Sequence, residues 1–96
     1  MEAALKAIAA PRRRQILTLV GAGELSAGEI ASHFDVTRPA VSQHLRVLKD
    51  VRLVTDRPEG TRRVYRLSPD GLEDVRAFLE RFWTRALAGL KEAAEE

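Results

Sequence analysis

The sequence predicts a mainly α fold with a small β-hairpin, in the element order α-α-α-α-β-β-α. Three observations carry that prediction. A short capped helix, a turn and a second amphipathic helix lie between Ser26 and Asp50. Two strand patterns follow at once, around Pro58-Glu-Gly-Thr61. A long last helix then carries a broad apolar stripe. A helix pair with a hairpin directly behind it is the layout of a winged helix-turn-helix.

Each element has a local cause. Residues 2–9 (EAALKAIA) are Ala-rich and helical, with Leu5 and Ile8 on one side. Pro11 suits the first turn of a second helix, whose apolar face is Ile16, Leu17 and Val20, and Gly21-Ala-Gly23 is expected to stop it. Ser26-Ala-Gly-Glu29 has the Ser-x-x-Glu form of a capping box, so a helix should run from Ala27 to about His33 with Ile30 and Ala31 inward. Thr37 caps the next helix, Arg38 to Asp50. Strands over 53–57 and 63–67 flank the Pro-Glu-Gly-Thr reversal. Ser68 as cap and Pro69 at the first position open the last helix, which should continue to about residue 93.

Length and composition bound the function. Ninety-six residues make one domain, 1–96, with a thin core. There is no cysteine, which excludes disulfides, thiolate metal sites and thiol redox sensing. No apolar run approaches the roughly 20 residues of a membrane span, and no basic-then-apolar leader opens the chain, so a cytoplasmic protein is expected. The net charge of +2 conceals a division. Through Leu67 there are twelve Lys/Arg against seven Asp/Glu, a balance of +5; beyond it there are four against seven, a balance of −3. A basic body with an acidic last helix suits a protein that presents one end to a polyanion.

The helix from Arg38 to Asp50 divides its faces as a groove reader must. Val41, Leu45 and Leu48 fall on the core side, flanked by Ala40 and His44. Thr37, Arg38, Ser42, Gln43, Arg46 and Lys49 are left for solvent or DNA. Arg pairs bidentately with guanine, Gln with adenine, and Ser or Thr reaches a base or a phosphate. Any surface helix displays such types, and Lys49 near the end suits a phosphate or plain solvation. The hairpin shifts the balance toward DNA: Arg57, Arg62, Arg63 and Arg66 crowd ten residues, although exposed charges add little to stability. Arg62 and Arg63 are expected on the duplex, along the backbone or in the minor groove. Arg57 and Arg66 serve equally well as framework, and Tyr65 is expected to pack beneath the hairpin.

Four stretches together resemble the ArsR-type winged-helix repressors: Ala10-Pro-Arg-Arg-Arg-Gln-Ile-Leu, Leu25-Ser-Ala-Gly-Glu-Ile-Ala, Arg38-Pro-Ala-Val-Ser-Gln-His-Leu-Arg-Val-Leu and Arg62-Arg-Val-Tyr-Arg-Leu. The likeness runs from about Leu5 to Leu90, and Ala-Val-Ser-Gln-His-Leu-Arg-Val-Leu is its most specific part. It implies a homodimer joined through the first and last helices. It also implies that the Arg38–Lys49 helix reads double-stranded operator DNA and that binding blocks transcription.

The last helix supports a partner independently. Leu72, Val75, Leu79, Phe82, Ala86 and Leu90 follow a 3-4 spacing, and Phe78, Trp83 and Leu87 widen the stripe beyond what a small body covers. With Leu5 and Ile8 this stripe is the expected dimer interface. Many relatives sense metals through a Cys-x-Cys motif on the third helix or His and Asp pairs on the last. Here the third helix has no thiol and the last has Asp70, Glu73, Asp74 and Glu80 without histidine. Carboxylates alone make a poor selective transition-metal site, so no metal and no cofactor is expected. His33 and His44 lie in the helix-turn-helix, His44 as framework. Arg12, Arg13 and Arg14 are placed to touch phosphates near the start of the second helix, but for at least two of them a solvated face, with one arginine paired to an acid, is the expected reading. A small organic inducer between the last helices is compatible with the pattern, but no residue demands it. An enzyme lacks its machinery, having no nucleophile–base pair and no phosphate loop. A winged helix serving protein or RNA contacts is the remaining rival, and such domains usually lose the basic wing or the polar helix face.

Overall fold

The computed structural model describes residues 1–95. Helices α1 (Glu2–Ala9) and α2 (Pro11–Ala22) are separated by Ala10, which Pro11 forces into extended backbone. The free carbonyls at the end of α1 are taken by the arginines that follow. Arg13 Nε donates to Ala7 O at 2.7 Å and Nη2 to Lys6 O at 3.2 Å, while Arg14 Nη1 donates to Ile8 O at 2.8 Å and Ala9 O at 3.0 Å. A cation here meets the negative end of the helix dipole. The third arginine, Arg12, lies over the Phe34 ring at 4.8 Å. The solvated face expected for this triplet is therefore replaced by two helix caps and a cation–π contact, and none of the three is paired with an acid among the described residues.

Leu25–Ser26 forms a short strand, β1, that periodicity does not reveal, ahead of helix α3 (Ala27–Ala31). The capping box is present: Glu29 N donates to Ser26 Oγ at 3.2 Å and Ser26 N to Glu29 Oε1 at 3.0 Å. α3 ends two residues earlier than expected, in a turn over Ser32–Asp35. Helix α4 (Arg38–Asp50) starts on Thr37, whose Oγ1 accepts from Ala40 N at 3.3 Å.

Strands β2 (Val54–Glu59) and β3 (Arg62–Leu67) pair antiparallel, and β1 joins the far side of β3, so the sheet order is β1-β3-β2. Pro58 belongs to the strand, opposite Arg63, and the reversal falls on Gly60-Thr61. Gly60 has φ +65 and Thr61 does not share the left-handed region, the II′ pattern that matches strand twist. The core between helices and sheet is built on Ile16, Ile30, Val41, Leu45, Leu48, Leu53 and Val54, all essentially without solvent contact.

The last helix, α5 (Pro69–Glu95), is anchored only at its start. Leu53 O accepts from Ser68 N at 2.9 Å, and a Cβ on Gly71 would overlap the Arg52 carbonyl oxygen. Arg52 itself is left-handed, with φ 65. Val75 closes the core from this helix, and Phe78 is half-buried. From Leu79 to Glu95 every residue is exposed. The helix stretches the molecule to 63 Å and its radius of gyration to 16.7 Å, against about 12 Å for a compact chain of this length.

Candidate nucleic-acid interface

Helix α4 presents two sharply different faces. Val41, Leu45 and Leu48 are sealed into the core, and Ser42, Gln43, Arg46 and Lys49 are exposed on the other side with Thr37 and Arg38 at the start. The Thr37 oxygen accepts the cap bond from Ala40 N, and the hydroxyl keeps its own O–H to donate. Arg38, with its guanidinium beside Gly28 at the head of α3, and Arg46 have no acidic partner among the described residues. A shallow groove between α4 and the wing is lined by Ser42, Arg46, Lys49, Asp50 and Tyr65. Tyr65 is half-buried against the core, as an alternating strand residue should be.

The hairpin arginines are not free. Arg62 Nη1 meets Glu29 Oε1 at 3.0 Å and Nη2 meets Glu59 at 3.3 Å; Arg57 meets Glu24 at 2.7 Å and Glu59 at 3.1 Å. Arg63 Nε meets Asp56 Oδ2 at 2.6 Å, and Lys49 Nζ reaches the other oxygen of the same carboxylate at 2.9 Å. Of the four, Arg66 alone lacks an acid among the described residues; its Nε donates to Thr55 Oγ1 at 3.3 Å. The premise that folding cannot explain these arginines is corrected: three of the four are tied to carboxylates of the same chain. Glu29 serves the capping box and Arg62 at once. Bonds from the Ser26 backbone and hydroxyl first, then Arg62, hold its carboxyl below the ordinary value. The bonds from Arg63 and Lys49 do the same for Asp56, which stays ionised at neutral pH.

Behind α4, His44 is half-buried with Nδ1 3.5 Å from Arg13 Nη1. Burial, then Arg13 and Arg12, push its pKa below the ordinary value, so the ring is neutral and accepts from Arg13. His33 Nδ1 donates to Glu29 O at 2.9 Å. Both histidines are occupied in the framework.

The second surface is the stripe on α5. Phe82, Trp83, Leu87 and Leu90 are each more than half exposed and Leu79 is 41% exposed, with Ala86 between them. The Phe82 and Trp83 rings pack edge to face at 5.9 Å. Leu5 and Ile8 are half-buried, and Leu72 is half-buried against the core. Val75 departs from its expected place in a dimer interface: at 6% exposure it is used up inside its own protomer.

Comparison with known proteins gives this architecture its family. The sequence profile of the bacterial regulatory proteins of the arsR family matches residues 10–56. The chain is also 57% identical over 86 residues to the HTH-type transcriptional regulator Rv2034 of Mycobacterium tuberculosis, covering 90% of this chain and 80% of that one. The chain belongs to the ArsR family. Other ArsR-like relatives include the transcriptional repressor SdpR of Bacillus subtilis, 39% identical over 74 residues and covering 77% of this chain and 82% of that one. The transcriptional activator HlyU of Vibrio cholerae is 38% identical over 82 residues, covering 85% of this chain and 76% of that one. The reduced HlyU structure superposes with a TM-score of 0.69 at 37% identity, over 84% of this chain and 85% of that one. The mainly α winged helix-turn-helix is thus the fold of this ArsR chain, and its relatives are regulators rather than enzymes.

Within this ArsR frame, no three His, Asp or Glu side chains converge as a metal-ligand set among the described residues, and no described helix is long and apolar enough to cross a membrane. Sequence reasoning missed the acids. Asp56, Glu29 and Glu24 organise the wing's cations, and one signal pointed to the first of them: aspartate is depleted in strands, yet Asp56 stands opposite Tyr65 inside one.

Proposed function

We propose that residues 1–96 act as one DNA-binding domain, a homodimeric and sequence-specific repressor working in the cytoplasm, where the chromosome lies. The observation that carries this reading is the exposed polar face of α4, none of which the core uses. Its N-terminal half enters the major groove of double-stranded operator DNA, with Arg38, Gln43 and Arg46 on base edges and Thr37 and Ser42 on bases or phosphates. Lys49, Arg62 and Arg63 lie along the backbone, where contacts fix register rather than read sequence.

The apolar arm supplies the second copy. Leu79, Phe82, Trp83, Ala86 and Leu90 of α5, with Leu72 and with Leu5 and Ile8 of α1, pair with the same residues of a partner chain. That pairing sets two copies of α4 roughly 34 Å apart, one turn of the duplex. The likeness to SdpR favours repression, and that to HlyU makes activation the alternative. Metal sensing does not carry over from the metal-sensing relatives, because this chain has no thiol and no α5 histidine. No cofactor or membrane partner is required. A small-molecule inducer, if one acts, would sit between the paired α5 helices.

The test is selection of duplexes from a randomised pool, followed by anisotropy titration of the enriched duplex and a scrambled one at two salt concentrations. A preference of about a thousandfold or more is the range of specific binding, and a promoter fusion carrying the enriched site then separates repression from activation. No enrichment and no binding at low salt would leave a protein-interaction module as the better reading.

A further inference from the structure

Asp56 is unusual for its setting. Its side chain is only 5% exposed, yet it lies at the border between the C-terminal turn of α4 and the wing, on the side of the molecule that carries the exposed cations. Its two oxygens are divided between two elements: Oδ1 takes Lys49 Nζ from α4 at 2.9 Å, and Oδ2 takes Arg63 Nε from β3 at 2.6 Å. Both cations stay about half exposed, at 52% and 54%. Neither is exhausted. Arg63 bonds the carboxylate through Nε and keeps both Nη groups, and Lys49 keeps two of its three N–H donors, on side chains that are half exposed beside a carboxylate that is not. The cluster has one negative charge for two positive, so it remains cationic.

We infer that Asp56 is a specificity-determining residue, a positioning clamp that fixes Lys49 and Arg63 as one preformed seat for the DNA backbone and so sets the wing's register against α4. The inference rests on the DNA-binding reading above. Free cations neutralise any phosphate they reach, which feeds non-specific affinity. Cations held in place meet only phosphates at a fixed offset from the base-reading face, so backbone contacts and base contacts must be satisfied together. Asp56 also removes one unit of charge from the surface, which lowers the affinity for random sequence. Its depressed pKa keeps it charged throughout the neutral range. Arg62 and Arg57 differ in kind: their acids, Glu29, Glu59 and Glu24, are themselves 41–49% exposed and lie toward α3 and the hairpin tip, not at α4.

The test compares wild-type protein with Asp56→Asn and Asp56→Glu on the pool-enriched duplex and its scrambled counterpart across a salt series. For Asp56→Asn, the scrambled duplex should bind more tightly and the slope of log K against log salt should steepen by about 0.9, one further phosphate neutralised. The ratio of specific to non-specific affinity should fall roughly tenfold, the worth of one ordered bond to a charged group. Asp56→Glu keeps the charge but not the reach, so it should return the slope to wild type and the ratio only part of the way. A merely structural role would lower the melting temperature and leave the slope where it was. An unchanged ratio in Asp56→Asn overturns the inference, and a steeper slope with an unchanged ratio does so too, since Asp56 would then only subtract charge. If Asp56→Asn does not melt cooperatively, Asp56→Glu decides: a lowered ratio at wild-type slope supports the clamp, and wild-type values in both overturn it. Failure of the wild-type protein to enrich any duplex is a different result, which defeats the DNA-binding reading beneath.

Discussion

At the α4 and wing end, most charges meet an opposite charge of the same chain, whereas along α5 beyond Phe78 the apolar side chains stand exposed, Phe82 and Trp83 meeting each other edge to face. The first surface is finished, with Arg57, Arg62 and Arg63 tied to acids, the α3 and α4 caps filled and no buried side-chain polar atom unsatisfied among the described residues. The second is a helix with Leu79, Phe82, Trp83, Leu87 and Leu90 in water. Polar surfaces can be completed within a small chain, because an ion pair needs only two side chains. An apolar helix face needs a second layer, and 96 residues do not supply one here. The contrast separates what a protomer does alone from what it needs a copy to do, and it can be attacked at either surface or at the joint between them.

The joint should give the largest effect. Gly71→Ala places a methyl group on the Arg52 carbonyl oxygen, a backbone atom that cannot rotate aside. Overpacking against backbone is expected to cost about 3 kcal/mol, read as a fall in the urea midpoint. The side chains of both regions are untouched. A near-wild-type midpoint would mean that α5 leaves the body at an angle different from the one described.

The arm comes next. Trp83→Ala removes an aromatic that the protomer leaves more than half uncovered, at 59% exposure. Dimer affinity should therefore weaken by about 2 kcal/mol, the scale of an aromatic anchor, and operator binding should weaken with it. Sedimentation at several concentrations measures the shift toward monomer. A lower melting temperature with an unchanged dimer constant would mean that α5 folds back on its own body. The finished end offers a smaller counterpart. Ser26→Ala deletes one arm of the capping box and should cost about 1 kcal/mol, with no change in association. A change in the sedimentation constant would show that the two regions are not separable in this way.

How much of this was legible in the sequence follows the same division. Elements set by local rules could be read: the Ser26–Glu29 box, the Thr37 cap, Pro11 and Pro69 at helix starts, and the α4 stripe of Val41, Leu45 and Leu48. The α5 stripe was equally plain, because helical spacing is periodic. What could not be read depends on partners distant in sequence. β1 is two residues long, too short for any period, and exists only because β3 pairs with it. Arg62 finds Glu29 across 33 positions, so the four arginines crowded into ten residues looked unemployed when three had acids waiting. Val75 shares the spacing of Leu79 and Phe82, and only the position of the body decides that it is buried and they are not. Composition states how many charges there are, and the fold states which are spent.

The smallest expected effect lies between the regions, at His44. Its ring faces Arg13, which also caps α1, so α4 and the α1–α2 corner share one neutral imidazole. Its folded pKa is lowered from 6.5, by burial first and then by Arg13 and Arg12. In the unfolded chain the ring takes up a proton as pH falls through about 6.5, while the folded ring does not until a lower pH. The unfolded state therefore binds more protons in that window. The stability contributed by the neutral ring is complete above the unfolded value and is lost as pH falls toward the folded one. Melting temperatures recorded from about pH 8 to pH 5 should drift downward for the wild type, and His44→Gln should flatten the drift while leaving the dimer constant alone. A drift of the same size in His44→Gln would assign it to other groups. A dimer constant that moved with pH only when His44 is present would be more informative: the corner beneath α4 would then be transmitting to the arm, and the finished and unfinished surfaces would be coupled through one side chain.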